Sequence, residues 1–186
     1  MLKSPEMGPF YARGLHFSCV KCSACCRFEE GFVFLSEKDA FKLSAFLNIE
    51  YYSFIKTYCR WIPAINSESF GAPVGVLGGN TSGNPNKGQN KKFELSLKEK
   101  YNKDCIFWAA EPNEGCTVYE VRPLQCRAYP FWSSVLRDKS NWEMNASHCP
   151  GMDKGLFHSK KVIKKWLATR QNEPIISRNS NSEGDF

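Results

Sequence analysis

The sequence predicts a small, irregular α+β domain of short strands and helices gathered around a cluster of cysteines. Three observations point there. The chain has 186 residues, enough for one buried core and too few for two full domains. Its apolar segments alternate between short runs that suit strands and longer stretches with a helical period. Its nine cysteines fall on both sides of a Gly- and Asn-rich interruption, so strands and loops from both halves must converge to bring them together.

Residues 1–16 read as an irregular lead-in, and 17–170 as the domain proper. Gly31-Phe-Val-Phe-Leu35 is apolar and partly β-branched, a short strand. Ser36, with Asp39 three residues on, is a capping-box signature that opens a helix. Ala40, Leu43 and Leu47 fall on one face of that helix. After a break near Asn48, Tyr51, Ile55 and Tyr58 share a face of a second helix, which Pro63 is expected to end. Residues 66–92 are dominated by Gly, Asn, Ser and Lys and read as a flexible insertion.

Order resumes at Phe93-Glu-Leu-Ser-Leu97, which alternates as a half-buried strand does. Cys105–Trp108 and Cys116–Tyr119 are two further strand candidates, joined by a Pro-Asn-Glu-Gly turn. Pro123 suits the start of a short helical turn, and Trp142 lies in another strand candidate. Over 158–169 the apolar Val162, Ile163, Trp166 and Leu167 oppose Lys160, Lys161, Lys164 and Lys165, which makes an amphipathic helix with a solvated basic face. Lone basic faces are common, so nucleic acid is not an expected partner. Residues 171–186 read as a disordered tail.

The formal net charge is +6, and 14 Phe, 7 Tyr and 5 Trp imply a compact folded body. Cysteine usage then separates two classes. An odd cysteine total and two adjacent cysteines disfavour a disulfide framework. Residues 1–18 hold no apolar signal-peptide core, and the longest apolar run, Cys105–Ala110, is far too short to span a membrane. The expectation is a cytoplasmic metal-binding protein with no membrane segment.

The sequence Cys19-Val-Lys-Cys22-Ser-Ala-Cys25-Cys26 carries that expectation. A CxxC spacing lets two sulfurs reach one ion, and the next cysteine extends the grip. Four thiolates around zinc, or around an oxidised four-iron cluster, carry about two negative charges. Nearby Arg and Lys would offset that load.

Cys116-Thr-Val-Tyr-Glu-Val-Arg-Pro-Leu-Gln-Cys-Arg127, the leading cluster and Cys149-Pro-Gly151 occur together in one order. In this the chain resembles the YkgJ-type CxxCxxCC cysteine-cluster family, described as zinc- or iron-chelating domains. The resemblance covers about residues 17–60 and 93–157. Met152-Asp153 stands where that family more often has Ile-Gly. It implies metal ligation by Cys19, Cys22, Cys25, Cys26, Cys105, Cys116, Cys126 and Cys149. Cys59 lies outside the pattern and reads as a buried structural thiol.

Eight thiols suggest two four-coordinate centres, or one cluster with spare thiols. Adjacent Cys25 and Cys26 point different ways and so suit different centres. Cys19, Cys22 and Cys25 repeat the start of a ferredoxin binding run, and Cys149-Pro150 matches its remote Cys-Pro ligand, which favours an iron–sulfur cluster over zinc. Arg122, Gln125 and Arg127 flank Cys126. The two arginines either bind an anionic group of a cofactor or substrate, or balance thiolate charge and bond to sulfur. Tyr119 and Tyr129 read as core packing, and His148 as a hydrogen-bonding or exposed side chain.

Two functions compete on this reading. One is a metal- or cluster-binding module serving electron transfer, metal handling or docking to a protein partner. The other is a protein-modifying enzyme, since the family also resembles part of the flagellin lysine N-methylase. No nucleotide or methyl-donor motif stands in this sequence to mark the second.

Overall fold

The computed structural model describes residues 8–27, 31–64, 91–111 and 114–180. Its elements are a mixture of five α-helices, short 3-10 turns and short antiparallel strands, an α+β arrangement as the sequence predicts. Most of the expected insertion, residues 65–90, lies outside the described residues.

Helix α1, Glu37–Phe46, starts where the capping box places it. The Asp39 main-chain N–H donates to Ser36 Oγ at 3.2 Å, and Asp39 Oδ2 accepts the Ser36 main-chain N–H at 3.2 Å. Helix α2, Tyr51–Tyr58, is capped by Glu50, whose carboxylate accepts the Ser53 N–H at 2.8 Å. It ends five residues before Pro63. Cys59–Pro63 is strand β2, because Cys59 turns extended and opens a ladder with Leu97. Pro63 sits at the end of that strand, where a missing N–H is tolerated.

Strand β3, Lys92–Leu97, pairs with β2 along its length and with Ser177–Asn179 along its first half. Beside the second half of β3 runs the 33–35 segment. It makes the single bridge Phe34↔Ser96 with two flanking main-chain bonds rather than the strand the sequence suggests, because the Ser36 cap diverts the chain into α1. The first core forms here, from Leu35, Ala40, Leu43, Phe54, Ile55, Cys59, Leu95, Leu97, Phe107 and Val118.

The next expected strands are shorter than the sequence implies. Cys105 makes an isolated bridge to Glu99, and only Trp108–Ala109 (β4) and Gly115–Cys116 (β5) form a ladder. Tyr119–Val121 is a 3-10 turn. Helix α3, Leu124–Ala128, follows Pro123. Trp142 lies in helix α4, Lys139–His148, and not in a strand. Asp138 decides this by accepting the Asn141 N–H at 2.8 Å as an N-cap.

Strand β6, Met152–His158, pairs with β1, Leu15–Phe17, and helix α5 spans Lys160–Asn172. A second core of Phe131, Val135, Leu136, Trp142, Met152 and Ile163 lies among these elements. The lead-in is more ordered than expected. Phe10–Arg13 forms a 3-10 turn, and Phe10, Tyr11 and Leu15 pack on the second core. Within the expected disordered tail, 171–186, Ser177–Asn179 is strand β7 on β3, and residues 181–186 lie outside the described residues. Half-buried Ile176 packs on the first core and exchanges main-chain bonds with Leu35 and Leu95, which holds the segment down.

Candidate metal centre

The leading cysteines are positioned by a stitch around Ser18. Its N–H donates to Gly151 O at 3.2 Å, and its Oγ accepts the Leu156 N–H at 2.9 Å. A Cβ on Gly151 would collide with Ser18 O, so only glycine lets the two chains approach there. This brings Cys19 and Cys149 to neighbouring strand ends. Lys21 and Ser23 adopt left-handed backbone and turn the chain into a short 3-10 segment, Ala24–Cys26. Cys25 is exposed and Cys26 half-buried, with their sulfurs 3.7 Å apart.

Cys26 O accepts the Cys105 N–H at 2.8 Å, which ties the leading cluster to the second half of the chain. Cys105 follows buried Asp104, whose carboxylate lies 3.5 Å from Arg27. The Arg27 guanidinium stacks on the Trp108 ring at 3.8 Å. Across the small ladder Trp108 faces Cys116, and Thr117 donates to Phe107 O at 2.8 Å, so Cys105 and Cys116 are held by one hairpin.

Helix α3 supplies Cys126, and four hydrogen bonds fix it. Asp39 Oδ1 accepts the Leu124 N–H at 2.8 Å. Buried Gln125 accepts the Phe34 N–H at 2.9 Å and donates to Phe32 O at 2.7 Å, so its amide stands in for a neighbouring strand. Its main-chain carbonyl accepts Trp132 Nε1 at 2.9 Å.

The two arginines, expected to act together, are divided. Arg127 lies 3.7 Å from Asp39 and donates from Nε to Arg122 O at 2.8 Å, which makes it a brace for the helix. Arg122 stacks on Tyr119 at 3.7 Å, and its charge favours the thiolates of Cys25, Cys116 and Cys126. Of the two arginines, Arg122 is the one whose charge acts on the thiols.

Electrostatics show which thiols meet. Burial raises Cys126, and Cys25, Cys105 and Cys116 raise it further. Burial pushes Cys105 up to about 11, with Cys116 and Cys25 adding to the shift. Cys116 is likewise raised by burial, and Cys25 adds. The Cys25 and Cys26 sulfurs face each other. Their hydrogen bond lowers Cys25 to about 7 and raises Cys26, which also feels Cys126 and Cys105. Cys26, Cys105, Cys116 and Cys126 thus all lie within electrostatic reach of Cys25.

Cys149 packs on the second core and has its own neighbours. Burial raises it, and Cys22 raises it further. The Tyr129 hydroxyl donates to Met152 Sδ at 3.5 Å, and burial raises the phenol, with Cys149, Cys25 and Cys22 near enough to raise it further. Cys19 meets the Tyr119 hydroxyl, and Lys21 Nζ sits 4.5 Å above that ring. Tyr119 and Tyr129 therefore do more than pack, and only their spacing from Cys116 and Cys126 could have hinted at it. His148 Nδ1 lies 3.0 Å from Met144 O and from Ser147 Oγ. Cys59 is buried in the first core and pushed up to about 12.

The donor chemistry suits a soft or borderline metal, since thiolate is the ligand that zinc and iron–sulfur clusters prefer. Among the described residues no three Cys, His, Asp or Glu side chains stand close enough to hold an ion as placed. A family model described as "Putative zinc- or iron-chelating domain" matches residues 18–150. The chain belongs to the CxxCxxCC family. Its match runs from the residue before Cys19 to the residue after Cys149, and so encloses all eight thiols described above. The chain is also 27% identical, over 129 residues, to the uncharacterised protein MJ0661 of Methanocaldococcus jannaschii. That match covers 69% of this chain and 52% of the relative, so the chain spans about half the length of the curated protein it matches. No solved structure matches it. No helix among the described residues is long and apolar enough to cross a membrane.

Proposed function

We propose that this CxxCxxCC chain binds metal through Cys19, Cys22, Cys25, Cys26, Cys105, Cys116, Cys126 and Cys149, as an iron–sulfur cluster in preference to zinc. One observation carries the reading. Thiols from the 24–26 turn, the Cys105–Cys116 hairpin and helix α3 converge around Cys25, although they come from distant parts of the sequence. Packing alone gives no reason to gather five thiols, whereas four-thiolate ligation requires it.

The preference for iron–sulfur rests on the Cys19-x-x-Cys22-x-x-Cys25 run with Cys149-Pro150 beside it. When bound, such a cluster supplies one-electron redox chemistry. This chain's own residues bind it, balance its charge through Arg122, and donate hydrogen bonds toward its thiolates from Tyr119 and Tyr129.

Iron, zinc and acid-labile sulfide analysis of protein purified without oxygen, with its visible spectrum, tests the reading. Iron and sulfide in equal amounts with a brown chromophore are expected and would place the chain in electron transfer. Stoichiometric zinc without colour would correct the metal and make the chain a docking module. Neither metal would overturn the reading.

A further inference from the structure

We infer that the eight thiols divide into two adjoining four-thiolate centres, Cys26, Cys105, Cys116 and Cys126 in one and Cys19, Cys22, Cys25 and Cys149 in the other, with the boundary between Cys25 and Cys26. The inference rests on the metal-binding reading above and assigns its ligands.

Three independent features draw the line there. The first is exposure. Cys26, Cys105, Cys116 and Cys126 are all half-buried, whereas the outer set holds the three exposed thiols, Cys19, Cys22 and Cys25, together with half-buried Cys149. The second is packing. Cys105 and Cys116 lie against the first core, and Cys149 and Tyr129 lie against the second. The third is the hydrogen bonding of the backbone. Cys26 O is bound to Cys105 N at 2.8 Å, which commits Cys26 to the inner hairpin, while the Ser18–Gly151 bond commits the Cys19 end to Cys149.

Tyr129 identifies the outer set from another direction. The thiols around its hydroxyl are Cys149, Cys25 and Cys22, three of the four outer members. Cys25 also lies within reach of Cys105, Cys116 and Cys126. That is the position of a thiol at the seam between two sites, 3.7 Å from a neighbour that belongs to the other. Four ligands complete a thiolate centre, so the ninth cysteine, Cys59 in the first core, is required by neither.

The test is titration of the reduced full chain with cobalt(II) in the absence of oxygen, read by its thiolate and d–d bands. Wild type is expected to take up two equivalents. Cys149→Ser and Cys25→Ser should each take up one and keep a four-thiolate spectrum, and so should Cys116→Ser and Cys26→Ser. Alkylation of loaded Cys149→Ser, mapped by mass spectrometry, should label Cys19, Cys22 and Cys25 and spare Cys26, Cys105, Cys116 and Cys126. Protection of Cys25 together with Cys105 in that variant would overturn the division, as would a single equivalent in wild type lost in every variant.

Wild-type protein gives a second test that no folding defect can confound. When a chelator strips the loaded chain, protection should disappear at two rates, with the four thiols of each set moving together. One common rate for all eight would overturn the division while leaving metal binding intact. No cobalt uptake by wild type would remove the metal-binding reading itself.

Discussion

The Asp39 carboxylate accepts the main-chain N–H of Leu124 at 2.8 Å, so the cap of helix α1 also fixes the start of the helix that carries Cys126. Asp39 is 1% exposed, and its other oxygen is held by Ser36. One buried carboxylate therefore joins the first core to the thiols.

Asp39→Ala removes the α1 capping box, the Leu124 bond and the partner of Arg127 together. Breaking such a buried charged contact costs about 3 kcal/mol or more. Denaturant unfolding of the metal-free protein should show that loss, and alkylation of Cys126 should quicken. A variant within about 0.5 kcal/mol of wild type would contradict this role.

Gly151→Ala places a methyl group against Ser18 O. Main chain must shift to admit it, at about 1–3 kcal/mol. The expected outcome is a lower unfolding midpoint and faster labelling of Cys149, with Cys116 unchanged. Unaltered Cys149 labelling would show that the stitch does not position that thiol.

Tyr129→Phe keeps the ring among Phe17 and Trp132 and deletes only the hydroxyl, which donates to Met152 Sδ and lies beside Cys149. Stability should fall by about 1 kcal/mol. Loss of a hydrogen bond to a metal ligand typically weakens metal binding about 10- to 100-fold. Competition against a chelator checks this, and equal affinities would return Tyr129 to a packing role.

Burial raises Cys59 and Cys105 in the folded chain, from the ordinary thiol value of 9.0 to about 12 and about 11. A group raised on folding contributes stability below its unfolded value and loses that contribution as pH climbs toward its folded value. Metal-free protein should therefore melt at lower temperature as pH rises from about 8 to about 10.5. Metal uptake should strengthen over the same interval, because bound thiols must give up their protons. Apo-protein stability that is flat or rising across this interval would contradict the burial of these thiols.

Much of this was legible in the residues. Ser36 and Asp39 announced α1, the Tyr51–Ile55–Tyr58 spacing gave α2, and the lysine-faced pattern gave α5. The cysteine cluster and the Arg-Pro-x-x-Cys-Arg run marked the site because ligand spacing is local. What sequence reading missed was long-range. Asp39 looked like a cap and nothing more, since its bond to Leu124 joins residues 85 apart. Arg127 looked like a partner of Arg122 because adjacency in sequence hides that its charge faces Asp39. The sequence around Trp142 suits a strand because a lone aromatic has no period, and the Asp138 cap that makes its helix lies outside the apolar pattern. The composition around Ser177–Asn179 suits disorder because a three-residue strand is held by β3 and not by its own residues.

The most direct measurement is the metal content of Cys126→Ser beside that of Cys59→Ser, both purified without oxygen. Both positions are thiols raised by burial, but only Cys126 stands among the converging cysteines. Metal retained at the wild-type level in Cys59→Ser and lost from the Cys126 centre in Cys126→Ser, with only the other centre still filled, is the expected result. Equal metal in the two variants would contradict the assignment of the converging thiols as ligands.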